Sequence, residues 1–515
     1  MEDMKPHYEI RENVTPNSNS LSLTTPYMID PQVERQLIRK LDRHIIPTVM
    51  FAYLLCFLDR TNIGNARLFG LEADLHMSGD MYQVAVAVLF IPYILVEIPS
   101  NLVIKRFRPS RWLAFITVSW GIVSTLTGIV QNYAGLIACR LLLGLLEGGL
   151  LPGLTVYLTV FYTKKEMALR FSYLFVATAL AGACGGLLAY GIGFMDGVNG
   201  LSGWRWVFII EGTVLTTPYQ AHPNVYLVVN DILPLGIPTV LFGFVIYFVL
   251  ADNPETASYV TEEERQLLLR RLQNQTGFHE EFDKKDAWMA VKDWKTWVFS
   301  GAEFCTTTML YSYSVFLPSI IQGLNPRWTR PEIQALTIPC YAVGAVSYYT
   351  VAWLSDRHQL RGPYLVVCNA ICMLGYGLSL LPESAGVPVH YFATFLVAIG
   401  LFVGVGLPLS WLPTNNPRYG KRTTATAIQI SICNCSGVMA PFLYPLKDSP
   451  RYVKGYAVSI GLLAVGMTTF GSLSYYLHTV NQRRRAGKED YKIEGMSDAE
   501  IDALGDKSPR FMYTI

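Results

Sequence analysis

Charge is scarce in this chain: 16% of its 515 residues are Asp, Glu, Lys or Arg, where a soluble globular protein carries about 25%. Hydrophobic residues make up 51%, which excludes an ordinary soluble domain. The formal net charge of +2 leaves no excess basicity of the kind that binds nucleic acid. Histidine is missing from the middle of every apolar run. His7, His44, His76, His222, His279, His358, His390 and His478 lie in tails, loops or near the ends of runs, so proton handling within a membrane falls to carboxylates. None of the nine cysteines forms a C-x-x-C pair, so neither a disulfide framework nor a zinc site is supported, and they read as small packing residues. No G-x-x-x-x-G-K-[ST] motif supports an ATP-driven pump. No G-x-S-x-G or H-E-x-x-H motif supports a membrane hydrolase. Neither enzyme activity nor a cofactor is expected.

Apolar runs near the ~20-residue length of a bilayer crossing are present instead. They lie at about 45–65, 82–104, 112–131, 135–161 and 168–195, with one more inside 204–251. Six follow, at about 295–321, 335–355, 363–382, 391–413, 424–446 and 452–478. Twelve helices divided by a polar stretch predict an all-α membrane protein of two six-helix bundles. The expected layout is a tail (1–44), a first bundle (45–251), a linker (252–294), a second bundle (295–478) and a second tail (479–515). Residues 1–30 read as disordered, and 31–44 (PQVERQLIRKLDRH) as a short amphipathic helix on the membrane surface. The first 44 residues contain no apolar core of signal-peptide type, so the first span is expected to act as its own insertion signal. Lysine and arginine concentrate in alternate loops, including Lys105/Arg106/Arg108/Arg111 and Arg483/Arg484/Arg485. This pattern places both termini in the cytoplasm. A monomer whose other partner is the lipid bilayer is expected, at the plasma membrane.

Two charge sets interrupt the apolar runs: Asp59-Arg60 in the first, and Arg140 with Glu147 in RLLLGLLEGGLLPG. A charge at mid-bilayer costs on the order of 2.5–3.5 kcal/mol on insertion scales, so such residues face a protein interior or a cavity. Seven residues is almost two helical turns, which places Arg140 and Glu147 on one face roughly 10 Å apart. Buried arginines stay permanently charged, and a guanidinium grips a carboxylate through two parallel N–H bonds. Arg60 and Arg140 are therefore candidate anion contacts, with an Arg140–Glu147 ion pair as the structural alternative. Glu147 and Asp59 are the candidate proton carriers. Burial and a nearby cation pull the charge state of Glu147 in opposite senses, leaving it responsive to water or substrate. A fixed cation beside a protonatable acid suits the movement of a small organic anion together with protons. Tyr311, Tyr313, Asn415, Gln429 and Asn434 are candidate lining residues of a substrate cavity, with plain packing as the alternative for the tyrosines. Glu97, with Arg170 as a candidate partner, is assigned to a cytoplasmic gate. Glu211 and Glu303 are further buried acids.

Corresponding loops in the two halves carry NLVIKRFRPSRW and VAWLSDRHQLRGP. Within the latter, Ala352 to Arg357 resembles the G-x-L-x-D-R cytoplasmic loop of the major facilitator superfamily, which assigns Asp356 and Arg357 to the gate; the first-half copy has no acidic residue before its basic run. Several stretches resemble the fungal allantoate permease group of the anion:cation symporters: LDRTNIGNARLFGLEADL (58–75), VEIPSNLVIKRFRPSRW (96–112), RLLLGLLEGGLLPG (140–153), GWRWVFIIEG (203–212) and NNPRYGKRTTATAIQISICNCSGVMAPFLYP (415–445). The resemblance continues into YKIEGMSDAEIDALGDKSPRF (491–511). It implies the major facilitator fold, substrate binding near the midplane between the bundles, and proton-coupled movement of nicotinate-like monocarboxylates or allantoate-like ureides.

One stretch departs from the group. Trp204 to Gly212 and Ile237 to Leu250 read as two halves of the sixth helix, yet TVLTTPYQAHPNVYLVVNDILPLG (213–236) stands between them with three prolines. No intact helix runs through such a segment, which reads as a retained intron or gene-model insertion; the alternative is that residues 225–250 supply the span and leave 204–224 as an external loop. A non-transporting nutrient sensor of the same fold, and an inactive product of an interrupted gene, are the alternatives to a transporter.

Overall fold

The computed structural model describes residues 31–106, 108–212, 239–275, 284–445, 448–449 and 451–515. The readings made for residues 1–30 and 213–236 lie outside them. Every regular element among the described residues is helical, as expected where a bilayer offers no water to satisfy backbone groups.

The first bundle contains α1 (Pro31–Leu68), α2 (Met81–Ala87) with α3 (Phe90–Arg106), α4 (Pro109–Thr127), α5 (Tyr133–Glu147) with α6 (Leu150–Phe161), and α7 (Lys164–Ile192). Its sixth span is built from α8 (Gly203–Gly212) and α9 (Thr239–Val249). Two linker helices follow, α10 (Glu262–Gln275) and α11 (Lys284–Lys292). The second bundle has unbroken spans: α12 (Trp294–Leu324), α13 (Arg330–His358), α14 (Gly362–Ser379), α15 (Val387–Thr414), α16 (Tyr419–Met439) and α17 (Val453–Arg485). Large apolar side chains point outward, with Phe248 79%, Leu95 70% and Val346 66% exposed, the reverse of a soluble surface and suited to lipid.

Local chemistry starts these helices where they are needed. The Asn132 side chain accepts from Gly135 N at 2.8 Å to open α5, and Asp293 accepts from Lys295 N at 3.1 Å to open α12. Thr329 and Glu332 form a capping box on α13, each satisfying amide groups a helix start leaves free.

The bundles meet through α1 on α12, α3 on α16 and α7 on α13. Close approach depends on glycine. A Cβ on Gly64 of α1 would collide with the Val315 carbonyl oxygen of α12, and one on Gly148 would stand 2.5 Å from that of Tyr93 on α3. Small residues at such positions let helix backbones touch in a membrane.

The expected separate surface helix at 31–44 is not formed: α1 runs without a break from Pro31 through the first span. Two of its charged side chains are held by the linker, while Arg35, Arg39 and Arg43 stay exposed. Glu34 pairs with Arg271 of α10 at 2.9 Å and Lys40 with Glu264 at 2.6 Å, while Leu37, Leu41 and Ile45 are buried.

The halves of the sixth span lie in succession along α4. A Cβ on Gly128 would meet Ile209 of α8, one on Gly121 would meet Val240 of α9, and Gly243 of α9 stands against Val118. Moving back along α4 from 128 to 118 therefore moves forward from α8 into α9.

The expected tail from 479 is ordered. Helix α17 extends to Arg485, and the chain then returns beneath the second bundle. Asp506 pairs with Lys295 at 2.6 Å and Lys421 at 2.8 Å. Asn481 exchanges hydrogen bonds with the Tyr513 backbone at 2.8 and 2.9 Å. Trp411 donates to Thr514 O at 2.8 Å.

Candidate substrate and proton site

Arg60 and Glu147 form the centre of the first bundle's polar interior. Arg60 Nε donates to Glu147 Oε1 at 2.7 Å, with both side chains buried. The Cys56 thiol, one turn before Arg60 on α1, donates to the same oxygen at 2.7 Å. The guanidinium lies 4.5 Å from the Tyr93 ring centroid and 6.0 Å from that of Phe90. These faces favour a cation. The Gly148–Tyr93 contact draws α5 close enough to α3 for Glu147 to reach α1.

Arg140 does not take up the expected pair with Glu147. It is 1% exposed and its Nε and Nη2 have no hydrogen-bond partner. Its Cζ lies 5.5 Å from the Phe208 ring centroid, and Asp59 is the strongest opposing charge acting on it. Asp59 accepts from Ser124 Oγ at 2.8 Å. The shared helical face was correctly read, but Arg60 from a neighbouring helix reaches Glu147 with better geometry than a residue two turns away on the same helix.

A chain of weaker bonds crosses to the second bundle. Arg60 Nη1 reaches Tyr311 Oη at 3.5 Å, Tyr311 Oη donates to Asn434 Oδ1 at 3.2 Å, and Asn434 Nδ2 donates to Glu97 Oε2 at 3.3 Å. Arg60, Arg140 and Tyr311 line a small cavity of about 20 Å³, room for about one water, together with Phe57, Phe90 and Phe316.

Other assigned residues lie elsewhere. Tyr313 donates to Thr394 O at 3.1 Å inside the second bundle. Gln429 donates to Glu303, also away from the pocket. Asn415 ends α15 and exchanges hydrogen bonds with Thr514 of the returning tail at 2.8 and 3.0 Å. Glu97 and Arg170 are not partners: Glu97 faces Asn434 across the bundle interface, whereas Arg170 holds Asp42 through bonds of 3.0 and 2.6 Å. Asp356 pairs with Arg361 at 3.4 Å, and Arg357 lies over the Trp353 ring at 5.5 Å. Cys56, Ser124, Phe90 and Tyr93 were missed. The one-turn spacing of Cys56 from Arg60 was a usable signal; the others depend on tertiary approach.

The model of the Major Facilitator Superfamily matches residues 49–217 and 233–441, leaving out 218–232, which lie within the stretch read as an insertion. An uncharacterised transporter of Schizosaccharomyces pombe is 38% identical over 494 residues, covering 95% of this chain and 92% of its own. A high-affinity nicotinic acid transporter of Saccharomyces cerevisiae is 31% identical over 486 residues, covering 93% of this chain and 85% of its own. Among solved structures, an inward-facing, unoccupied bacterial homologue of the human lysosomal transporter Spinster superposes with a TM-score of 0.65 at 14% identity. It covers 84% of this chain and 97% of its own. With the model matching well over half the chain on a fold of two six-helix bundles, this protein belongs to the major facilitator superfamily and is a multi-pass membrane transporter.

Proposed function

We propose that the chain is a proton-coupled symporter of a small monocarboxylate with an apolar body, such as nicotinate, with an allantoate-like ureide as the second choice. The observation that carries this reading is the unpartnered guanidinium of Arg140 in a pocket lined by aromatic rings. Buried N–H groups without acceptors cost about 1–3 kcal/mol each, and a substrate carboxylate would satisfy two of them through parallel bonds. Phe57, Phe90 and Phe316 suit a flat ring better than a ureide chain.

Coupling follows from the Arg60–Glu147 pair. While Glu147 is ionised, Arg60 already has its counter-anion. A proton on Glu147 removes that negative charge and leaves Arg60 beside Arg140 with no anion, so substrate binding becomes favourable. Loss of substrate restores the pair and releases the proton. Asp59 balances Arg140 in the empty state. Glu97 and Asn434 respond at the bundle interface, and Arg170, Asp356 and Arg357 organise the cytoplasmic ends. The proposed setting is a plasma membrane with both termini cytoplasmic.

The test is uptake of radiolabelled nicotinate and allantoate into transport-deficient cells, with and without a protonophore. This chain and a version lacking 213–236 run in parallel. Protonophore-sensitive nicotinate uptake is expected from the deleted version, because α8 and α9 follow one another along α4. Activity in both identifies the insertion as a tolerated loop. Silence from two well-expressed proteins contradicts the substrate assignment.

A further inference from the structure

The second bundle contains a buried acid that the scheme above does not use. Glu303 of α12 is 0% exposed. One carboxylate oxygen accepts from Gln429 Nε2 of α16; the other, Oε1, has no hydrogen-bond partner. Among the described residues no salt bridge reaches it. The groups acting on it are the Gln429 amide and the Cys433 thiol, both of α16. Gln429 Nε2 also donates to the Pro408 carbonyl of α15 at 3.2 Å, while its Oε1 is unpartnered. Thr307 Oγ1, one turn from Glu303 on α12, is unpartnered as well. The site therefore offers a carboxylate oxygen, an amide oxygen and a hydroxyl, all buried and unsatisfied, with no cation.

An ionised carboxylate in such a place costs several kcal/mol without a paired charge, so the acid holds a proton when enclosed. Its location provides a route for exchange. Glu303 lies eight residues before Tyr311 on α12, roughly 12 Å nearer the linker end, and α12 and α16 both pack against the first bundle. Parting the bundles on the linker side would bring water to this acid.

We propose that Glu303 is a second proton site, loaded and emptied separately from Glu147. This rests on the symport reading above and deepens it: one monocarboxylate would move with two protons, one on each bundle. Each proton is taken from water outside and given to water inside, with no other bond made or broken. An anion of charge −1 travelling with two protons carries one net positive charge inward. Transport is then electrogenic, whereas a single proton would make it electroneutral.

The test uses full-length protein in proteoliposomes with radiolabelled nicotinate, a pH gradient, and an inside-negative potential set by potassium and valinomycin. Wild type should be accelerated severalfold by the potential and show a proton-to-nicotinate ratio of two. Glu303→Gln, which keeps shape and hydrogen bonding, should retain gradient-driven uptake, with a ratio of one and no response to potential. Glu303→Asp, the control if the glutamine variant is not stably inserted, should keep the ratio of two with a displaced pH profile. A wild-type ratio of one, or a ratio of two in Glu303→Gln, overturns the proposal. So does a proton ratio of one in wild type with a response to potential that needs sodium outside, which would make the site a metal-cation site. Absence of any gradient-driven uptake by wild type contradicts the underlying symport reading instead.

Discussion

The two bundles handle buried polarity differently. The first buries two acids, Asp59 and Glu147, and two arginines, Arg60 and Arg140, all under 9% exposed, and leaves the Arg140 Nε and Nη2 without an acceptor. The second buries Glu303 among amides, a thiol and hydroxyls. A buried ion-pair cluster sits at its linker end, where Lys295, Lys421 and Asp506 meet. Opposed full charges make a site whose state changes when one proton or one anion arrives. Neutral hydrogen-bonding groups around a lone acid make a site that answers to a proton and not to the anion. The contrast assigns recognition and the anion-linked proton to the first bundle, and the second, separately loaded proton to Glu303 of the second.

Removing the switch should have the largest effect. Glu147→Gln is expected to abolish accumulation driven by a pH gradient while preserving exchange of preloaded substrate, measured as counterflow in vesicles. Full gradient dependence in that variant would take Glu147 out of the coupling role.

The next effect separates the two arginines. Hydrogen bonds to charged groups are worth about 1.5–3 kcal/mol, so Arg140→Gln should weaken apparent nicotinate affinity by about 10- to 100-fold at unchanged membrane abundance. Arg60→Lys should instead impair uptake through the proton dependence, because an ammonium cannot reproduce the Nε bond to Glu147 and the stacking on Tyr93. Equal changes in affinity from both variants would erase the distinction between a free and an engaged cation.

The second bundle's ion pairs should affect stability before transport. Burial alone would raise the Asp506 carboxyl, but Lys295 and Lys421 outweigh it and hold it below the usual carboxylate range. A lowered folded value gives stability that is fully present above the unfolded value of about 3.9 and is lost as pH falls through the folded one. Tail docking should therefore be constant from about pH 5 to 8 and released only in stronger acid. Asp506→Asn should release the tail at neutral pH, since breaking a buried pair costs about 3–5 kcal/mol. Limited proteolysis of residues beyond Arg485 reads this directly; an equally protected tail in the variant would count against the pairing.

The smallest effect belongs to the joint between the bundles. Tyr311→Phe removes an Arg60 contact of 3.5 Å and the 3.2 Å bond to Asn434. Long bonds of this kind contribute about 0.5–1.5 kcal/mol, so uptake should fall by a few-fold to about tenfold.

Much of this contrast was visible in the sequence, for a physical reason. A charge inside an apolar run is costly, so Asp59, Arg60, Arg140 and Glu147 stood out, and run length alone counted the spans. Pairing was harder to read. Spacing on one helix suggested Arg140 with Glu147, but the partner is decided by how closely a different helix approaches, here through Gly148 against Tyr93. Asn415 looked like a cavity residue because it is polar beside an apolar run, yet it binds Thr514, 99 positions further along. Arg170 likewise finds Asp42, 128 positions away. Long-range docking leaves no local periodicity to read, and the continuation of α1 through 31–44 depended on contacts with the distant linker helix α10.

The most direct measurement is uptake of radiolabelled nicotinate by purified protein in vesicles under an inward pH gradient, comparing wild type with Arg140→Gln. Substrate held by the free guanidinium and coupled to protons gives wild-type accumulation that a protonophore collapses, together with an apparent affinity about 10- to 100-fold weaker in the variant. Wild-type uptake indifferent to the gradient, or equal affinity in the two proteins, would contradict it.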